Sequence, residues 1–261
     1  MTTDTYTAPA AGRPTPRRRM DPMRKIALAG GELYLITFAA SLPALWLYPD
    51  VLDNPGYITT PGSDTPLQWG AWLEVITAAA CIGTAVALYP VTKRVSQTAA
   101  LGFVTSRVVE ATLIVVGVLS LLSVATLRGD LAGATGAEAT SLITTGQALV
   151  AMHDWTFLLG PGLIPGINAL FLGYVMYRSR LVPRIIPTIG LIGAPLILAS
   201  ATATIFGAWD QVSAAGAVGA LPIAVWEFSL GVWLTVKGFK PTPLTPISAP
   251  VAPTHDALPV A

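Results

Sequence analysis

Six apolar runs, each near the length that crosses a bilayer, take up most of the chain and leave it few ways to fold. A hydrocarbon core of roughly 30 Å needs about 20 mainly apolar helical residues. Runs of that kind occupy residues 26–48, 69–90, 100–127, 148–177, 185–208 and 216–239. Backbone polar groups in lipid must be satisfied within the structure that spans it, and the apolarity here is continuous instead of alternating, so helices are expected and barrel strands are not. The predicted fold is all-α and polytopic: a bundle of six transmembrane helices. Charged residues make up 11% of the chain, far below the quarter or so found in soluble domains, so residues 26–239 read as one membrane unit.

Lys and Arg near span ends stay preferentially on the cytoplasmic side. Arg13, Arg17, Arg18, Arg19, Arg24 and Lys25 precede the first run, Lys93 and Arg94 separate the second from the third, Arg178, Arg180 and Arg184 separate the fourth from the fifth, and Lys237 and Lys240 end the sixth. The opposite loops hold Asp50, Asp53, Asp64, Asp130, Glu138 and Asp210 against Arg128 alone. Both termini are therefore expected in the cytoplasm. Trp46, Trp69, Trp72, Trp155 and Trp209 fall near the outer ends of the runs, and Tyr89, Tyr177 and Phe239 near the inner ones, as interfacial anchors do.

Residues 1–25 are rich in Thr, Pro, Ala and Arg and have no apolar segment distinct from the first helix, so they read as a disordered basic cytoplasmic tail without a cleaved signal peptide. Residues 240–261 carry six prolines and read as a second disordered tail. The net charge of +1 divides into a basic inner face and an acidic outer one, which gives no case for nucleic acid. The bilayer is the expected partner. Cys81 is the single cysteine, so no disulfide forms within the chain.

Ionisable residues inside spans are costly and usually face the bundle interior or a wet cavity. Seven lie there: Glu32, Glu74, Arg107, Glu110, His153, Asp154 and Glu227. At about 1.5 Å per residue, Glu74, His153 and Asp154 fall near the outer interface, while Glu32 and Glu227 lie roughly 10 and 15 Å from the cytoplasmic boundary. Arg107 and Glu110 enter from that same side, three residues apart on one helical face. Glu32, Arg107, Glu110 and Glu227 form an expected inner cluster. One Arg among three carboxylates leaves excess negative charge, which suits a proton-coupled or cation-binding site; a polar clamp fixing helix register is the competing explanation.

The fourth run is interrupted by Gly160, Pro161, Gly162 and Pro165, which should kink it and release backbone carbonyls. Those carbonyls either line a cavity, as in the broken helices of transporters, or are satisfied by neighbouring helices. Asn168 lies close enough below to join either arrangement.

From about residue 24 to 239 the chain resembles bacterial membrane proteins of the domain-of-unknown-function family numbered 4386. The similarity is carried by Leu88-Tyr89-Pro90, by Arg107-Val108-Val109-Glu110, by His153-Asp154-Trp155 through Gly160-Pro161-Gly162, by the stretch from Tyr177 to Arg184, and by Trp226-Glu227 through Lys237-Gly238-Phe239. The resemblance implies a multi-pass protein of the bacterial plasma membrane and brings no activity, ligand or catalytic residue with it.

Several chemistries lack their residues. Bis-imidazole haem needs two intramembrane His, and the chain has His153 alone there, with His255 in the tail. There is no H-E-x-x-H zinc motif, no G-x-S-x-G elbow and no G-x-x-x-x-G-K loop, so no cofactor or metal is expected. Three readings stay open: handling of a small lipophilic or cationic ligand or an ion at the inner cluster, an intramembrane enzyme using His153 and Asp154, or a scaffold or accessory subunit. A solvent-connected pocket at the cluster favours the first.

Overall fold

The computed structural model describes residues 20–130 and 133–242. The expected tails fall largely outside that range. The chain forms helices α1 (Pro22–Leu47), α2 (Pro49–Leu52), a 3-10 turn (Tyr57–Thr59), α3 (Thr65–Thr92), α4 (Gln97–Asp130), α5 (Gly136–Leu159), α6 (Ile164–Ser179), α7 (Ile185–Ile205) and α8 (Ala214–Val236). Six of the resulting segments are long and apolar enough to cross a membrane, with α5 and α6 together forming the fourth. An even number of crossings puts the start of α1 and the end of α8 on one face, called here the near face. The other is the far face.

Helix starts follow local chemistry. Asp21 caps α1 by accepting from Met23 N at 3.1 Å, and Pro22 supplies a first-turn residue that lacks the N–H a helix start would orphan. Ser213 caps α8 by accepting from Gly216 N at 3.2 Å. Because α1 begins at Pro22, Arg24 and Lys25 belong to its first turns and not to a tail. Arg24 uses this position to donate to the carbonyls of Leu234 and Thr235, at 2.7 and 2.5 Å, satisfying the end of α8.

The spans close into a ring. Neighbours run α1 to α3, α3 to α4, α4 to α6, α6 to α7, α7 to α8 and α8 back to α1. The largest core cluster lies toward the near face, where Tyr34, Leu88, Phe103, Leu172, Met176, Trp226 and Leu234 are buried together. Without a hydrophobic drive between helices in lipid, close approach depends on small residues. The crossing of α1 with α8 shows it: a side-chain carbon on Gly31 would meet Thr235 N at 2.6 Å and Gly231 O at 2.8 Å. Val86, Leu119, Ile192 and Phe228 are exposed on the outside of the ring, and Trp46, Trp69, Trp72, Trp155 and Trp209 are exposed toward the far face, as contact with lipid requires.

The far face carries a cap that the apolar runs do not foretell. Helix α4 is 34 residues long, about 51 Å at 1.5 Å per residue, and outreaches a hydrocarbon core. Helix α5 starts twelve residues before the expected run, and in its polar early part the Thr144 and Thr145 hydroxyls are satisfied within the helix by donating to the carbonyls of Thr140 and Ser141. Tyr48, Val51, Ile58, Leu67, Leu121, Val124 and Leu142 pack between these tips and the 53–64 segment.

Arg128, the lone basic residue of this face, holds that segment down. Its guanidinium donates to Asp64 Oδ1 at 2.5 Å and to Thr60 O at 2.8 and 2.6 Å, and lies 4.2 Å from the Tyr57 ring centroid. Tyr57 donates to the same Asp64 oxygen at 2.7 Å, and burial together with that bond pushes its phenol up to about 12. Arg128→Ala removes several charge-assisted bonds worth about 2 kcal/mol each. Amide exchange across residues 54–64 is expected to rise sharply while the spans keep their protection; unchanged exchange would refute the anchoring role.

Candidate binding site in the bundle centre

The helical rise and 100° turn per residue set what faces the ring's centre. On α1 the side toward the bundle centre is marked by Tyr34, Thr37 and Ser41; on α3 by Glu74, Thr77 and Cys81; on α4 by Arg107, Glu110 and Ile114; on α8 by Ile223, Ala224 and Glu227, with exposed Ala220 at its outer end. The steps of three, four and seven place each set on one face. With Phe157, Pro161, Pro165 and Ile197, these faces, all but Tyr34, enclose a cavity of about 220 Å³ to which every span contributes.

Arg107 is buried at its inner end. Its Nη1 donates to Glu110 Oε2 at 3.0 Å and to Cys81 Sγ at 3.6 Å, and its Nη2 donates to Glu227 Oε1 at 2.5 Å. The guanidinium carbon lies 4.8 Å from the Tyr34 ring centroid and 5.9 Å from that of Phe103, so two aromatic faces complete its shell. The Glu110 carboxylate also accepts from Asn168 Nδ2 at 2.6 Å, and Asn168 Oδ1 accepts from the Ser106 hydroxyl. Arg107 Nε alone has no partner.

The structure thus brings Arg107, Glu110 and Glu227 together as expected from sequence. It does not bring Glu32 to them. Glu32 is two residues from buried Tyr34, about 200° around α1, and is exposed on the outside. Rotation about the helix, which depth does not fix, removes the residue from the cluster.

Toward the far face, Glu74 lines the same cavity, and Tyr48 donates to its Oε2 at 2.9 Å. Tyr48 is seated against α3 at Gly70, where any side-chain carbon would come within 2.5 Å of its ring. His153 is buried beside Tyr48, with ring centroids 5.6 Å apart, and stacks on Phe157. Asp154 is exposed; its Oδ1 lies 3.5 Å from His153 Nδ1, and neither residue lines the central cavity. Glu74 has no basic partner among the ion pairs of the described residues.

The fourth span breaks between Leu159 and Ile164, at Gly160, Pro161 and Gly162, with Pro165 in the first turn beyond. Three of its carbonyls near the break have donors: Thr156 O accepts from Gly160 N at 2.8 Å and Gly160 O from Ile164 N at 3.0 Å. Phe157 O, whose usual donor would be Pro161, accepts from Gly162 N at 3.0 Å and from Gln211 Nε2 of the α7–α8 loop at 3.2 Å. The break therefore supplies shape to the cavity and no free oxygen at these carbonyls. Among the described residues no three His, Cys, Asp or Glu side chains converge as a metal site would need.

Tyr34 and Tyr48 join the site without a charge to mark them in the sequence. Tyrosine in a span suggests an interfacial anchor, but Tyr34, Thr37, Ser41 and Tyr48 lie at i, i+3, i+7 and i+14, a polar stripe along α1 that could have marked the cavity wall.

A ring of six spans closed around a charged cavity defines a multi-pass membrane protein in contact with the bilayer. The chain belongs to the family described as Domain of unknown function (DUF4386), whose family model matches residues 29–238. No curated protein and no solved structure matches it.

Proposed function

We propose that this protein binds a small molecule or ion in the central cavity, as a transporter-like protein or a membrane sensor, with its termini in the cytoplasm of a bacterial cell and its spans in the plasma membrane. The observation that carries the reading is the cavity of about 220 Å³ walled by Glu74, Arg107, Glu110 and Glu227. A helix clamp needs the ion pairs and gains nothing from open space beside them, because empty volume in a core costs stability. The loop asymmetry of Lys and Arg supports the orientation.

The test is a thermal-shift panel on purified protein, covering small cations, anions, neutral amphiphiles and lipids. A ligand that binds the folded state raises its melting temperature. At least one class is expected to stabilise the wild type and to lose that effect in Glu227→Gln, which keeps an acceptor for Arg107. A panel with no cluster-dependent stabiliser would contradict the proposal.

A further inference from the structure

A second, outer cavity of about 500 Å³, reaching from Thr204, Gln211 and Val212 on the far face inward, shares Phe157, Pro161, Ile197 and Ala220 with the central one. These four side chains, two of them at the helix break, stand between the two spaces. The loops around the outer mouth and across this face carry Asp50, Asp53, Asp130, Glu138 and Asp210, while Arg128 is already paired with Asp64. Such a field concentrates cations at the entrance.

Inside, the charge is uneven. Arg107 engages Glu110 and Glu227 at one end and repels a second cation there. Glu74 is seven residues up α3 from Cys81, about 10 Å nearer the far face, and its carboxylate accepts from the Tyr48 hydroxyl, with the His153 imidazole close enough to act on it electrostatically but in no ion pair with it. Between the two ends the wall is Phe38, Leu45, Ile114, Phe157 and Ile197. A bare metal ion wants six or more oxygen ligands and gains nothing from such a wall. An organic ammonium gains from both the wall and the carboxylate.

We infer that the cavity takes a small organic monocation, an ammonium on an apolar body, which enters from the far face past Pro161 and sets its charge against Glu74. The volume equals that of roughly seven waters at about 30 Å³ each, which limits the ligand to a body of similar size. This rests on the binding reading above and names its ligand class.

Benzylamine, protonated at neutral pH, is the probe, with benzyl alcohol as its uncharged isostere. Calorimetry and thermal shift are expected to show binding of benzylamine to the wild type and none of the alcohol. Glu74→Gln retains an acceptor for Tyr48 and should fold, yet lose about 30-fold or more in benzylamine affinity, as expected when a buried charge partner is removed. Ser41→Leu, which fills the cavity without touching a charge, should lose it as well. Equal binding of the alcohol, no binding of benzylamine to the wild type, or full affinity in Glu74→Gln would each overturn the inference. An anion or lipid that stabilises the wild type but not Glu227→Gln would overturn it too, while leaving the binding site itself in place.

Discussion

Arg107→Ala is expected to cost about 3 to 5 kcal/mol and to leave little folded protein after mild heating in detergent. The side chain is enclosed, and its two donors are the only basic partners of Glu110 and Glu227 among the ion pairs of the described residues. Removing it strands two carboxylates among apolar helices, and stranded buried charge is far more costly than a lost hydrogen bond. Arg107→Lys should recover only part of the loss, because an ammonium cannot reproduce the planar fork that reaches carboxylates on α4 and α8 at once. Neutralising the whole set, with Arg107→Met, Glu110→Gln and Glu227→Gln together, should be much milder than Arg107→Ala alone. Size-exclusion profiles after a temperature ramp read all three; a wild-type profile for Arg107→Ala would show that the pairs contribute nothing.

Gly31→Val is the second large effect, with an expected loss of about 3 kcal/mol from overpacking. The clash is with backbone, Thr235 N at 2.6 Å and Gly231 O at 2.8 Å, so no rotamer change relieves it. Helices α1 and α8 must separate, and with them go the Arg24 bonds to Leu234 and Thr235 and the approach of Glu227, one turn from Gly231, to Arg107. Gly129→Ala is the control: nothing lies within 4 Å of the added carbon, and alanine is the better helix former. A melting temperature for Gly31→Val close to that of Gly129→Ala would mean that α1 and α8 do not pack through these glycines.

What was legible in the sequence is what the bilayer dictates. Apolarity located all six spans, because lipid enforces it over the whole crossing, and Arg107, Glu110 and Glu227 stood out because charge in lipid needs a reason. The polar turns of α5 before residue 148 and the cap held by Arg128 lie beyond the bilayer, where no such rule applies. Glu32 falls outside the cluster because spacing to flanking charges gives depth, whereas facing depends on which neighbours α1 acquires in the ring. Glu74 reads from sequence as part of an outer stratum for the same reason: about 10 Å divides it from Cys81 along α3, and only the packed ring shows that one cavity spans that distance. The break at Gly160 to Pro165 was predictable in place, while the Gln211 contact that closes it comes from a loop more than forty residues away.

Whether the cavity beside the Arg107 cluster can be reached from outside is read by a thiol placed on its wall. Cys81, the single cysteine, lines the cavity but is only 1% exposed and its Sγ accepts from Arg107, so silence there would not tell a closed cavity from a shielded thiol. Ser41→Cys, made together with Cys81→Ala, puts a near-isosteric thiol on the α1 wall. Methyl methanethiosulfonate, small enough for the space, is applied to this variant folded in nanodiscs and the intact mass is followed. Modification of the folded state is expected, and Ala220→Phe, which adds bulk where the two cavities share their lining, should slow it strongly. A folded protein whose introduced thiol reacts only after unfolding would contradict a reachable cavity.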